Sequence, residues 1–248
     1  MKRQWRLIQK LMTGFFLPVL LYCPSYAQDS TENNFTAAAI SNTINLYYQF
    51  TNKQSRLYNG LEYYDYPVTL EGHAYFLDSS WKKGYVFYDG LPFYDVSMLY
   101  DIVRDELVIL HFNNFKKMGL LSEKIKEFTL QGHHFLYLIR DSIGNSLPST
   151  GFYEDLYDGA SQVLAKRIKI IEERITNQVE QFITVHNRYY IRVNGRYHVV
   201  DSYNALMSVL KDHARDVRQY LRKNRIRYRK NPQGTIVSAA IFYDSLKK

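Results

Sequence analysis

The chain has 248 residues, a formal net charge of +8 and 46% hydrophobic residues. Its length and apolar content suit a single β domain with a packed core. Its single cysteine, Cys23, excludes the small disulfide-framework class, so stability must come from packing.

The first 27 residues read as a secretory signal peptide. Lys2, Arg3, Arg6 and Lys10 form a basic leader, Leu11 to Leu21 is apolar, and Ser25-Tyr26-Ala27 offers small residues for a cut before Gln28. A membrane anchor is the competing reading. The apolar core is about half of the ~20 residues a spanning helix needs, and Pro18 interrupts it. Lipid attachment at Cys23 would want a small residue where Tyr22 stands. With the cut after Ala27, the remaining chain carries no cysteine.

The charge is local. The leader holds four of the 32 basic residues and none of the 24 acidic ones, which leaves +4 beyond it. Residues 211–230 hold nine basic residues (Lys211, Arg215, Arg218, Arg222, Lys223, Arg225, Arg227, Arg229, Lys230) against Asp212 and Asp216. The rest of the exported chain is close to neutral. The 23 tyrosines have two readings. One is β propensity on half-buried pleated surface. The other is an aromatic surface for sugars or ring-bearing ligands.

In chain order, residues 28–34 are a polar, flexible start, and 35–248 form one β-rich domain. Ile40, Ile44, Tyr47 and Tyr48 fall at helical spacing and predict a helix over Ala37 to Phe50. Leu57 to Gly60 is a turn, and short strands are expected near Tyr63 to Leu70 and His73 to Leu77. Residues 35–83 thus form an N-terminal helix and first strands. Residues 84–201 then read as an antiparallel meander broken at Asp89-Gly90, Arg104-Asp105, Asn113-Asn114, Gln131-Gly132, Asp158-Gly159 and Asn194-Gly195. Pro92 should sit at an edge. Leu107 to Leu110 and Phe135 to Ile139 are apolar on both faces, so both should be covered on both sides. Asp141 to Gly151 is a loop. At Asn194-Gly195, a three-residue loop pairing Arg192 with Arg196 separates an apolar from a polar face, so that register is predicted, with Gly195 left-handed. Residues 202–248 form a helical cap: an amphipathic helix over Tyr203 to Lys223, an extended connector over Arg225 to Lys230, a break at Pro232 to Gly234, and a last helix over Thr235 to Leu246. The expected fold is therefore α+β, mainly antiparallel β. It is a meandering sheet or barrel-like domain with one N-terminal and two C-terminal helices.

Several stretches resemble a family of uncharacterised secreted proteins of the Bacteroidota. They are Leu57-Tyr58-Asn59-Gly60 with Glu62-Tyr63, Gly72-His73 with Tyr75-Phe76, Met98-Leu99-Tyr100-Asp101, Gly151-Phe152-Tyr153, Leu156-Tyr157-Asp158-Gly159 and Tyr243-Asp244-Ser245-Leu246. The resemblance implies an envelope or secreted location and a free-standing domain. It implies no activity.

No stretch carries a catalytic, cofactor or metal signature, so no catalytic, cofactor-binding or metal residue is assigned. His73, His111, His133, His134, His186, His198 and His213 form neither HxH nor HExxH, and His133 and His134 would point to opposite faces of a strand. Asp101, Asp105, Glu106, Glu154 and Asp155 sit near turns, where carboxylates are commonly solvated. There is no G-x-S-x-G elbow and no phosphate-cradling glycine loop. The strongest non-structural signal is the basic patch 211–230. In an exported protein it points to an anionic surface or an acidic envelope protein rather than nucleic acid. The expected role is a non-catalytic periplasmic or secreted binding or scaffold module, for a partner or an apolar or glycan ligand. An envelope hydrolase with a site built from hairpin turns and an outer-membrane β-barrel are the alternatives.

Overall fold

The computed structural model describes residues 39, 43, 56–112, 115–141, 147–175 and 178–247. The leader, Cys23, the start at 28–34 and most of the helix expected over 37–50 lie outside the described residues, as does the Asn113-Asn114 break.

Among the described residues, twelve strands form one sheet: β1 (Leu61–Glu62), β2 (Leu70–Glu71), β3 (Lys82–Tyr88), β4 (Leu91–Asp101), β5 (Glu106–Leu110), β6 (Lys117–Gly119), β7 (Ile125–Leu130), β8 (His133–Leu138), β9 (Gly151–Tyr157), β10 (Val163–Ile175), β11 (Val179–Val193) and β12 (Arg196–Val199). Their order is β1-β6-β5-β4-β3-β7-β8-β9-β10-β11-β12, antiparallel throughout, and β2 alone pairs parallel, against β11. Of the strands expected over 63–70 and 73–77, only the short β2 forms. Residues 73–77 instead hang on β4 through one bridge, Tyr75 to Asp101.

The meander follows from the turns. Asp89-Gly90, Gln131-Gly132 and Asn194-Gly195 each have two left-handed residues in succession. Each joins strands through a two-residue loop, pairing Tyr88 with Leu91, Leu130 with His133 and Val193 with Arg196. This is the type I′ hairpin, whose twist matches the strands it joins. The three-residue register expected at Asn194-Gly195 is therefore corrected to the two-residue one. The longer loop would suit a ribbon with one wet face. Here Ile191 and Val193 are buried against the helical cap, while Tyr190 and Tyr197 are buried on the other side. Pro92 behaves as expected: it faces Phe87 of β3, and β5 pairs only with the far end of β4, from Met98 to Asp101.

The sheet curls. Tyr100 on β4 and Phe152 on β9 are separated in the sheet order by β3, β7 and β8, yet their ring centroids lie 5.7 Å apart. Phe76, Phe128 and Phe135 complete the ring cluster around Tyr100. Leu107 and Ile109 point into this core, while Val108 joins Tyr63, Tyr75 and Leu99 on the opposite face. The two-sided reading of 107–110 holds. That of 135–139 fails at its end, because Ile139 lies beyond β8 and is 67% exposed.

The curl brings the turn after β4 onto β10. Lys169 N–H donates to the Ile102 carbonyl at 3.1 Å, and Lys166 pairs with Asp105. Asp105 also accepts the Tyr100 hydroxyl at 2.6 Å and the Phe152 N–H at 3.2 Å. Gly151, at φ +142°, runs so close to Asp105 and Lys166 that a Cβ there would collide with both. No ladder forms at this junction, and β1 and β12 do not pair, so the sheet is open rather than barrel-closed.

The C-terminal cap has three helices, not two: α1 (Tyr203–Val209), α2 (Ala214–Lys223) and α3 (Pro232–Leu246). Ser202 caps α1 by accepting from Ala205 N–H. The break at 210–213, unforeseen by the apolar spacing, places Asp212 where it accepts the Tyr243 hydroxyl of α3 at 2.8 Å. The supposed break at Pro232 is instead the start of α3. Asn231 accepts from Gly234 N–H as the cap, and Pro232 takes the first position, where its missing donor costs nothing. Leu206, Leu210, Val217, Leu221, Ile236 and Tyr243 are buried together on β10 and β11.

Two outcomes test this account. Asp105→Asn leaves the buried Lys166 ammonium without its counter-charge and is expected to cost about 3 kcal/mol. Lys166→Met should cost less, because Asp105 keeps the Tyr100 and Phe152 donors; urea midpoints of the two variants check the order. Burial, then the neighbouring Tyr75 and the Asp101 charge, hold the Tyr63 phenol well above its ordinary range. A raised pKa gives stability that is present below pH ~10 and is lost as pH rises further. Tyr63→Phe should therefore unfold less steeply than the parent between pH 9 and 11 in urea titrations (~2 units spanning the free tyrosine pKa).

Candidate functional site

The basic patch folds into a groove. Arg218 and Arg222 lie on the exposed side of α2, as their spacing predicts. The connector expected to be extended instead turns back on itself. Ile226 N–H donates to the Leu221 carbonyl at 2.9 Å and Arg225 N–H to the Arg222 carbonyl at 3.1 Å. This is a Schellman stop, in which the residue after the helix is left-handed and usually glycine. Here it is Arg225, at φ +56°. Ile226 meanwhile packs with Leu221 and Val217 in the cap core. Lys230 N–H then closes on Arg227.

The product is a groove of about 490 Å³ whose floor is Tyr203, Leu221, Ile226 and Tyr228 and whose rim is Arg218, Arg222, Arg225, Arg227 and Arg229. No acidic side chain lines it. Among the described residues, none of the five guanidinium groups forms an ion pair. Lys211, Arg215, Lys223 and Lys230 belong to the same patch but lie outside the groove. A planar fork such as guanidinium matches phosphate or carboxylate oxygens in pairs.

A second concavity, a cleft of about 560 Å³, lies beside the junction of the curl with β10. Cross-strand neighbours Arg167 with Asn187 and Lys169 with Val185 supply its floor from β10 and β11. His73, Phe76 and Leu77 wall it on one side, His133, at the start of β8, on another, and Gln233, from the first turn of α3, on a third.

Its electrostatics are set by one buried carboxylate. Glu154 is 3% exposed; it takes His133 Nδ1 on one oxygen and Arg167 on the other. Arg167 also donates to Gln233 Oε1 at 2.8 Å. Lys169 has no carboxylate in contact: its ammonium donates to the Tyr75 and His73 carbonyls at 2.6 and 2.7 Å. Burial pushes this lysine below its ordinary pKa, partly offset by the charge of Asp101. Burial and then Lys169 lower His73 as well. Glu154 orients His133 as a carboxylate orients a general base. Among the described residues, however, no Ser, Thr or Cys lines the cleft beside it.

The carboxylates read as solvated turn residues are mostly structural. Asp101 is fully buried and accepts the Tyr63 and Tyr66 hydroxyls at 2.9 and 2.8 Å, plus the Val103 and Arg104 N–H groups. Asp105 and Glu154 are paired as described above. Burial raises Glu106 and Asp155. Of the histidines, His133 and His134 lie on the strand and take different partners, Glu154 and Glu127. His213 pairs with Asp216 and His186 with Thr184, the His111 ring lies tilted 4.1 Å from that of Phe112, and His198 is exposed. Among the described residues, no group of three or more His, Cys, Asp or Glu side chains could hold a metal ion. Asn187 and Gln233 of the cleft carry no sequence signal. Arg167 and Lys169 do, as two cations at strand spacing.

No family model, curated protein or solved structure matches this chain.

Arg225 holds a conformation that costs a non-glycine residue about 1–2 kcal/mol. Arg225→Gly removes that strain but loosens the unfolded chain, so a net gain of up to about 1 kcal/mol is expected. A higher thermal midpoint in calorimetry would bear this out. It would also show that the arginine is kept at the expense of stability.

Proposed function

We propose that this protein is a non-catalytic module, exported to the cell envelope, that docks through its arginine groove on an anionic lipid surface. The observation that carries the reading is the groove itself: five guanidinium groups without an acidic partner, around an apolar and aromatic floor. Charge on one exposed face attracts an anionic surface, and a floor of Tyr, Leu and Ile can take up apolar material once the headgroups are engaged. Export is supported by the basic leader, the short apolar stretch and the small residues at 25–27. The resemblance to secreted proteins of the Bacteroidota points to the same location. An apolar floor also separates this patch from a merely solvated helix face, which would have no reason to enclose a concavity.

The test is co-sedimentation with vesicles. Phosphatidylglycerol vesicles should pellet the protein, phosphatidylcholine vesicles should not, and binding should fall as salt rises. Each arginine near such a surface contributes about 1 kcal/mol. Replacing Arg218, Arg227 and Arg229 together by alanine should therefore weaken binding about a hundredfold. Equal binding to neutral vesicles would overturn the proposal. So would a triple variant that binds like the parent, or a groove that takes an acidic protein and ignores vesicles.

A further inference from the structure

We propose that the cleft beside β10 is a second, separate binding site, and that it takes a small monocarboxylate with an apolar tail. The carboxylate Glu154 offsets one of the two floor cations, Arg167. Asp101, the other acid acting on the floor, has Arg104 beside it at 3.9 Å. Lys169 is left without an acidic contact: it meets the His73 and Tyr75 carbonyls and, at 3.3 Å, the Nδ1 of the His73 ring. The nearest remaining acids are matched elsewhere, Asp105 by Lys166 and Asp78 by Lys82. Counting the lysine, the arginine and the carboxylate alone, the cleft carries one uncompensated positive charge. One charge in a partly buried place suits a monoanion better than a phosphate dianion.

Shape and surface decide the rest. Phe76, Leu77, Ile102 and Val185 face the same space as the polar groups. Val185 is 60% exposed and Leu77 56%, although both are apolar. Leu77 moreover sits at φ +56°, a left-handed conformation that its side chain does not favour. A ligand with a carboxylate near Lys169 and a tail along these residues would cover exposed apolar surface and answer the charge together. The volume falls in the ordinary range for small-molecule sites, about 300–1,000 Å³. The backbone also fixes the walls independently of any ligand. Phe76 N–H donates to the Tyr100 carbonyl at 2.8 Å and Ile102 N–H to the Ala74 carbonyl at 3.0 Å, so the His73–Leu77 wall is tied to β4. A cleft held open in this way binds with little ordering cost.

The test is calorimetric titration of the purified protein with acetate, butyrate, hexanoate and octanoate, and with inorganic phosphate as the tail-free anion. Affinity should rise about fourfold per added methylene until the cleft is filled, and phosphate should give no binding. Val185 belongs to the cleft floor but is 60% exposed, so Val185→Glu and Val185→Lys leave the core alone. The first should weaken hexanoate about tenfold and the second should not weaken it. Lys169→Met should abolish hexanoate binding, with an unchanged circular dichroism spectrum showing that the wall has stayed in place. The arginine-groove triple variant should bind hexanoate like the parent. The assignment is overturned if no carboxylate binds, if affinity ignores tail length, if phosphate binds as tightly as hexanoate, if Val185→Glu changes nothing, or if the groove variant loses the ligand.

Discussion

Tyrosine hydroxyls donating to carboxylates brace this fold among the described residues, none of which is a cysteine. Asp101 receives Tyr63 and Tyr66, Asp105 receives Tyr100, Asp244 receives Tyr157 at 3.0 Å, and Asp212 receives Tyr243. All but the Tyr100 bond, which lies within the β4–β5 hairpin, join parts of the chain that regular ladders leave apart. Tyr63 and Tyr66 hold the irregular segment before β2 against β4. Tyr157 and Tyr243 bind the last helix to the β9–β10 connection and to the break between α1 and α2. An ionised acceptor makes such a bond roughly twice as strong as a neutral one. The phenol ring supplies the apolar burial that the carboxylate lacks. The richness in tyrosine is thus explained by interior cross-bracing more than by an exposed aromatic platform.

The same bracing creates the cleft. Asp101 and its two tyrosines add to the backbone bonds that hold the segment carrying His73 and Phe76 on β4. Without the Asp105–Lys166 pair, the curl would not bring Ile102 against β10. The cleft is therefore a by-product of how an open sheet is kept from unrolling. The groove has a different origin: it forms where α2 stops, because Ile226 must return to the core and the arginines around it must stay in water.

Much of the fold is legible in the chain. The turn dipeptides mark the hairpins at Asp89-Gly90, Arg104-Asp105, Gln131-Gly132, Asp158-Gly159 and Asn194-Gly195 but not the one between β10 and β11, and Leu107–Leu110 announces a doubly covered strand. What misleads is face-counting. At Asn194-Gly195 a wet face was assumed, and the helical cap removes it. The single helix over 203–223 fails because apolar spacing continues through a break whose purpose, seating Asp212 under Tyr243, depends on a residue 31 positions away. The arginine groove is half legible: the patch reads plainly, its concavity does not. The cleft is not legible at all. Its parts come from 73–77, 102, 133, 167–169, 185–187 and 233, and only the curl of the sheet brings them together. The short stretches at 75–76, 151–153, 156–159 and 243–246, by contrast, are contact points. Tyr157 meets Asp244, Tyr75 bridges Asp101, and Phe152 meets Asp105.

The β10–β11 ribbon has a further consequence. The ladder with β9 covers β10 only from Val163 to Ala165, whereas β10 and β11 pair all the way to Ile175 and Val179. Past Lys169 the outer margin of β10 faces no strand, which is the geometry that templates filament growth by a second copy. Glu172, Glu173 and Arg174 occupy that margin and are exposed or nearly so. A copy adding there would have to strip these three side chains of part of their water, a cost that opposes edge-to-edge growth although Ile170 and Ile175 beside them are exposed.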